Sequence, residues 1–128
     1  MRLLKTKPFS RWSRKEGLSD EALVAAVAGI RYGRVDADLG GGLLKMRVAR
    51  SGGGKRGGYR VFVACDARRR CVFMYGFGKN ERDNVDDREL GDLKRLTRWY
   101  LELDGRVLDQ ALATGILLEI EDGEAQTA

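Results

Sequence analysis

From residue 43 onward the chain alternates apolar and polar positions with a period of two, the mark of a half-buried strand. In LLKMRVAR (43–50), Leu44, Met46 and Val48 point one way while Lys45, Arg47 and Ala49 point the other. In YRVFVAC (59–65), Tyr59, Val61, Val63 and Cys65 share a face and leave Arg60 opposite; a third run, CVFMYGFGKNER, follows from Cys71. Two turns, SGGGKRGG and DARRR, join these runs into a meander that is apolar beneath and cationic above. Upstream, residues 2–7 (RLLKTK) read as a short strand ended by Pro8, which suits the first turn of a helix over Phe9–Glu16. Gly17 stops that helix and Ser19 caps the next, whose stripe is Leu23, Val24, Val27 and Ile30. Phe9, Trp12, Leu18 and Tyr32 are expected where these helices meet the sheet.

Downstream, Asp86 to Leu103 reads as a longer helix, with Asp86, Asp87 and Glu89 at its positive end. Its buried stripe is Leu90, Leu93, Leu96, Thr97, Tyr100 and Leu101, with Lys94, Arg95 and Arg98 on a solvated side. A helix over Val107–Thr114, a strand over Ile116–Ile120 and a frayed end complete the pattern. The expected class is α+β: N-terminal helices packed on a twisted antiparallel sheet of about four strands, followed by a C-terminal helix. All 128 residues fit one domain, with 105–128 as a small acidic C-terminal extension.

Charge changes the picture by its placement. The net is +5, but residues 1–42 carry +3, residues 43–82 carry +9 and residues 83–128 carry −7. Eleven of the 24 basic side chains fall in the meander, against Asp66 and Glu81 alone. Such segregation points to a polyanion, and RNA is the reading taken here; a solvated basic face is the plain alternative. No apolar run of about 18 residues occurs that would span a bilayer. The basic start lacks an apolar segment after it, so the expected location is the cytoplasm, with no membrane partner. Cys65 and Cys71 flank a five-residue turn and can face each other, but are expected as two small buried thiols.

The chain contains no histidine, which removes Cys-His and Ser-His catalysis and every His-containing zinc site. Gly52, Gly54 and Gly57 formally spell G-x-G-x-x-G, but a strand follows where the dinucleotide fingerprint needs a helix, and Arg56 stands where a phosphate-binding loop needs Ser or Thr. Asp83, Asp86, Asp87 and Glu89 cluster, yet helix capping accounts for most of them. Cleavage of RNA by its own 2′-hydroxyl needs a base, an acid and cations against the charge that builds on phosphorus. Arginine serves as a bidentate phosphate clamp, and lysine among cations as acid or base. Lys45, Arg47 and Arg60 on adjacent strands, with Lys79 and Arg82 just past the third, supply that set; Arg50, Lys55, Arg56 and Asn80 are candidates for holding the rest of the RNA. No cofactor or metal is called for by this chemistry.

The order of these pieces is also familiar. D-A-D-L-G-G-G-L at 36–43, K-M-R-V-A-R at 45–50, G-K-R-G-G-Y-R at 54–60 and Y-G-F-G-K-N-E-R-D-N at 75–84 resemble the RelE/HigB family of toxins from bacterial type II toxin–antitoxin modules, over roughly residues 1–120. The resemblance implies a RelE-like fold and ribosome-dependent, metal-independent endonucleolytic cleavage of mRNA. It also implies a neutralising antitoxin, in this branch often a helix-turn-helix DNA-binding protein. The family's basic residues fall on Lys45, Arg47, Arg60, Lys79 and Arg82. The family's second arginine after the lysine is here Asn80, and its later tyrosine is missing near Asn84 and Val85, so the base falls to Lys45 or Lys79. Tyr75 is expected in the core. Two other functions fit the same fold: a ParE-like toxin that poisons gyrase, and a nucleic-acid-binding module without catalysis. The acidic tail offers itself as a shield for the basic face.

Overall fold

The computed structural model describes residues 1–50 and 57–121, so Lys55 and Arg56 lie outside the described residues, as does the end of the acidic tail. Strand β1 (Arg2–Thr6) leads directly into helix α1 (Lys7–Glu16). Thr6 makes that sharp switch by accepting a hydrogen bond from Phe9 N, with Pro8 in the first turn where its missing N–H costs nothing. Helix α2 (Asp20–Ala28) is capped by Ser19 and runs on into a 3-10 turn at Gly29–Tyr32. A two-residue strand β2 (Ala37–Asp38) precedes the meander β3 (Leu43–Val48), β4 (Tyr59–Asp66) and β5 (Arg70–Gly78). Helix α3 (Asp87–Glu102) starts on a complete capping box between Asp86 and Glu89, and α4 (Gly105–Thr114) leads into β6 (Leu117–Glu119).

The six strands run in the order β2-β3-β4-β5-β1-β6. The α+β architecture, with N-terminal helices on a largely antiparallel sheet, holds as expected. The sheet exceeds four strands because β1 pairs parallel with β5 and β6 pairs antiparallel with β1. Two helices, α3 and α4, follow the meander. The acidic extension is therefore built into the fold, as α4 and then β6: Leu108, Ala111, Leu117 and Ile120 are buried. Its described part lies beyond β1, at the edge opposite β3, and does not shield the basic strand.

Both sheet faces are covered, and this corrects the picture of one apolar and one cationic face. Leu44, Met46, Val48, Tyr59, Val61, Val63 and Phe73 pack with Phe9, Trp12, Leu23 and Val27 of α1 and α2. On the reverse, Leu43, Phe62, Ala64, Val72 and Met74 pack with Leu93, Tyr100, Leu108 and Ala111 of α3 and α4. Thr97 is buried as well, but Leu96 and Trp99 of α3 are exposed, as is Tyr32, which does not join the helix–sheet contact. The ladder register slips between Phe62 and Val63, whose partners are Tyr75 and Phe73. One extra residue, Met74, changes the phase of β5, so that Tyr75 and Phe77 come to the α3 side. Gly76 then faces α1, where a Cβ would overlap the Trp12 ring. Gly42, at φ +95°, admits the chain beneath α3; a side chain there would sit 2.6 Å from Leu101 Cδ1.

Cys65 and Cys71 are directly opposed in the β4–β5 ladder with their Cα atoms 4.1 Å apart, and they form a disulfide. The expectation of two separate thiols is corrected: ladder register, which the sequence separation alone does not reveal, brings the sulfurs together.

Candidate RNA-cleavage site

On the reverse face, beyond the cluster packed beneath α3, β3 and β4 carry three cations. Arg47 and Arg60 stand directly opposite each other across the β3–β4 ladder, with Lys45 two residues back along β3. Like charges in that position repel. The opposing charge comes from Asp36, in the segment before β2. Its Oδ2 lies 3.7 Å from Lys45 Nζ and 3.7 Å from Arg60 Nε, and its Oδ1 lies 3.9 Å from Arg47 Nη2. Three cations from two strands thus converge on one carboxylate.

The three differ in exposure. The Arg60 side chain is 7% exposed and Lys45 13%, whereas Arg47 is 67% exposed. Arg60 also donates from Nη1 to its neighbour's carbonyl, Tyr59 O, at 3.4 Å. Beside Arg47 an open cleft of ≈ 420 Å³ is lined by Arg34, Asp36, Arg47 and Arg50 together with backbone at Gly57 and Gly58. Arg50, a candidate for holding RNA, thus borders the same cleft, while its guanidinium stacks 5.4 Å from the Tyr59 ring centroid.

A second group of residues joins the first through Asn84. The Asn84 Oδ1 accepts from Lys45 Nζ at 3.3 Å and from Val85 N at 2.9 Å, and its carbonyl accepts from Arg82 Nε at 3.0 Å. Arg82 further donates to the Tyr75 hydroxyl at 3.2 Å and grips both oxygens of Glu89 at 3.0 and 2.6 Å. Four of its five N–H donors are engaged, so this arginine holds the loop after β5 onto the start of α3. The ion pair keeps the Glu89 carboxyl at about 2, chiefly through the Arg82 bond and then the Asp86 N–H, and raises Arg82 in turn. Tyr75 is half-buried, its ring against Phe62 and Phe77 and its hydroxyl at the rim of the site. Lys79 turns outward to pair with Asp83 at 3.0 Å, and Asn80 is exposed in the same turn. The structure brings Lys45, Arg47 and Arg60 together and ties Arg82 to them; it does not bring Lys79 into that contact.

Asp36 and Asn84 were not singled out by sequence reasoning. Asp36 stands in the quoted D-A-D-L-G segment, but its isolated carboxylate gives no periodic signal. Among the described residues no cluster of His, Cys, Asp or Glu is arranged to hold a metal, and no helix is long and apolar enough to cross a membrane.

Fold and site together define a small α+β protein that opens a cationic, carboxylate-centred cleft at one end of a helix-covered sheet. The family described as the RelE toxin of the RelE/RelB toxin–antitoxin system matches residues 1–120, and the chain belongs to that family. It is accordingly the toxin of a toxin–antitoxin pair, with an antitoxin as partner, and toxins of this family are generally endoribonucleases. No curated protein matches the chain.

Proposed function

We propose that this toxin is an mRNA interferase that cleaves message on the ribosome, without a metal, through attack of the 2′-hydroxyl on the adjacent phosphorus. A cognate antitoxin with a DNA-binding domain neutralises it. The observation that carries this reading is the convergence of Lys45, Arg47 and Arg60 on one point, occupied by the Asp36 carboxylate. A group of cations that surrounds one anion suits a second, and the phosphorane formed in RNA cleavage carries more negative charge than the starting diester. Donors already fixed in place stabilise that added charge without reorganising. In this reading Arg60 and Arg47 grip phosphate oxygens, Lys45 protonates the leaving 5′ oxygen, and Arg82 keeps the loop that carries Asn84 in position. Arg50, Lys55, Arg56, Lys79 and Asn80 follow the strand of RNA on either side, as phosphate contacts that position without reading sequence.

The test is single-turnover cleavage of mRNA on programmed ribosomes by wild-type, Arg60→Ala and Lys45→Ala proteins. Both variants are expected to remain folded and to lose about a hundredfold or more in cleavage rate. An Arg60→Ala protein that cleaves as fast as wild type removes that residue from the mechanism. Intact message together with DNA double-strand breaks replaces the nuclease reading with gyrase poisoning.

A further inference from the structure

We infer that Asp36 is the proton acceptor of the cleavage reaction, an assignment that rests on the nuclease reading above. The cationic residues leave that role badly filled. Arginine stays charged, and a lysine at neutral pH must first lose a proton before it can take one. Lys79 points away to Asp83, and the Tyr75 hydroxyl accepts from Arg82. Asp36 is placed differently from each of these. It lines the cleft beside Arg47, its side chain is 27% exposed, and its contacts with the three cations, at 3.7–3.9 Å, are all longer than a hydrogen bond. The carboxylate is therefore held near the three cations without being locked to any one of them, and it reaches solvent through the cleft that Arg47 also lines.

The reaction balances with these groups alone. The O2′–H bond breaks and its proton passes to an Asp36 carboxylate oxygen. The O2′ electron pair forms the new O2′–P bond, the P–O5′ bond breaks, and the departing 5′ oxygen takes a proton from the Lys45 ammonium. The products are a 2′,3′-cyclic phosphate and a 5′-hydroxyl. Asp36 is left protonated and Lys45 neutral, and the two face each other at 3.7 Å, so one proton returned from acid to amine resets the site.

A simpler role, in which Asp36 only offsets the repulsion between Arg47 and Arg60, makes a different forecast. Removing the negative charge would then weaken the fold and strengthen RNA binding but leave the chemistry intact. The deciding experiment compares wild type, Asp36→Asn and Arg60→Ala in single-turnover cleavage on programmed ribosomes, together with RNA affinity and thermal melting. If Asp36 takes the proton, Asp36→Asn cleaves about a hundredfold more slowly while binding RNA at least as tightly as wild type. If the Asn protein does not fold, Asp36→Glu and Asp36→Gln give the same contrast, two side chains of equal length of which only one can accept a proton: Glu should cleave and Gln should not. An Asn variant that cleaves at the wild-type rate, one that loses cleavage and RNA affinity together, or a Glu and Gln pair of equal rate overturns the assignment while the Arg60→Ala result still supports the nuclease. Wild-type protein that leaves the message whole overturns both.

Discussion

The two ends of the β4–β5 hairpin carry the same kind of residue and use it in opposite ways. At the turn end, Arg70 Nη1 donates to Tyr100 O at 2.9 Å and Arg69 Nη1 to Leu101 O at 3.3 Å. Those carbonyls belong to the last turn of α3, which has no basic residue of its own. Helix C-termini leave carbonyls without partners and a partial negative charge, and the two arginines from a neighbouring turn supply what the helix lacks. Burial, and then the nearby Arg69 and Arg2, lower the Arg70 pKa. At the open end, Arg60, Arg47 and Lys45 share a single carboxylate held beyond hydrogen-bond length, beside a cleft. One end spends its cations on neutral backbone and becomes fixed structure; the other gathers them around one carboxylate, with Arg47 on the cleft and Lys45 and Arg60 nearly buried behind it. The local charge of +9 over residues 43–82 thus includes two unlike features, and only the open end belongs to the proposed RNA site.

Exchanging the damage between the ends gives the sharpest test. Arg70→Ala leaves the Tyr100 carbonyl without its charged donor and is expected to lower unfolding stability by about 2 kcal/mol, within the range for hydrogen bonds to charged groups. The folded fraction should cleave at the wild-type rate, the reverse of the pattern expected for Arg60→Ala. Denaturant titration alongside single-turnover cleavage reads both quantities, and an Arg70→Ala protein that is fully stable but inactive would erase the distinction. Reduction of the Cys65–Cys71 disulfide acts at the same end. The disulfide closes a short loop, with a sequence separation of 6, for which chain entropy gives about 2 kcal/mol. A thiol reductant should therefore lower the melting temperature with cleavage unaltered; cleavage lost on reduction at a temperature where the protein stays folded would couple the two ends.

The sequence made parts of this contrast legible and hid others. Period-two alternation placed Leu44, Met46 and Val48 against the helices and set Lys45, Arg47 and Arg60 on the reverse, because strand facing is decided by neighbours along the chain. Alternation says nothing about how far a helix from a later segment extends over that reverse face. Leu43, Phe62 and Ala64 are therefore buried beneath α3 where a cationic surface was expected. Arg69 and Arg70 looked like their neighbours because their partners lie about thirty residues downstream. The bulge at Met74 leaves no local mark, yet without it Tyr75 would not share a face with Arg82. Asp36 depends on how a short segment before β2 is laid beside β3, a tertiary fact that propensity does not contain.

The smallest effect concerns the bond that joins the open end to α3. Glu89 titrates at about 2 in the folded protein against an ordinary 4.5, because Arg82 donates to both of its oxygens and the Asp86 N–H adds another bond. A carboxyl whose folded pKa is depressed stabilises the fold fully above the unfolded value and loses that contribution as pH falls through the folded one. The window is therefore from about 4.5 down to about 2. Both partners are part-exposed and screened by solvent and salt, so the loss should be modest. Glu89→Gln keeps the length of the side chain and removes the titration. The melting temperatures of wild type and Glu89→Gln, measured across that window at low ionic strength, should be furthest apart at the upper end and converge toward pH 2, with added salt shrinking the gap. Curves that stay parallel over the whole range would mean that the Arg82–Glu89 bond contributes nothing that protonation can remove, and the loop carrying Asn84 would owe its position to its other contacts, among them the Lys45 bond to Asn84 and the Arg82 bond to Tyr75.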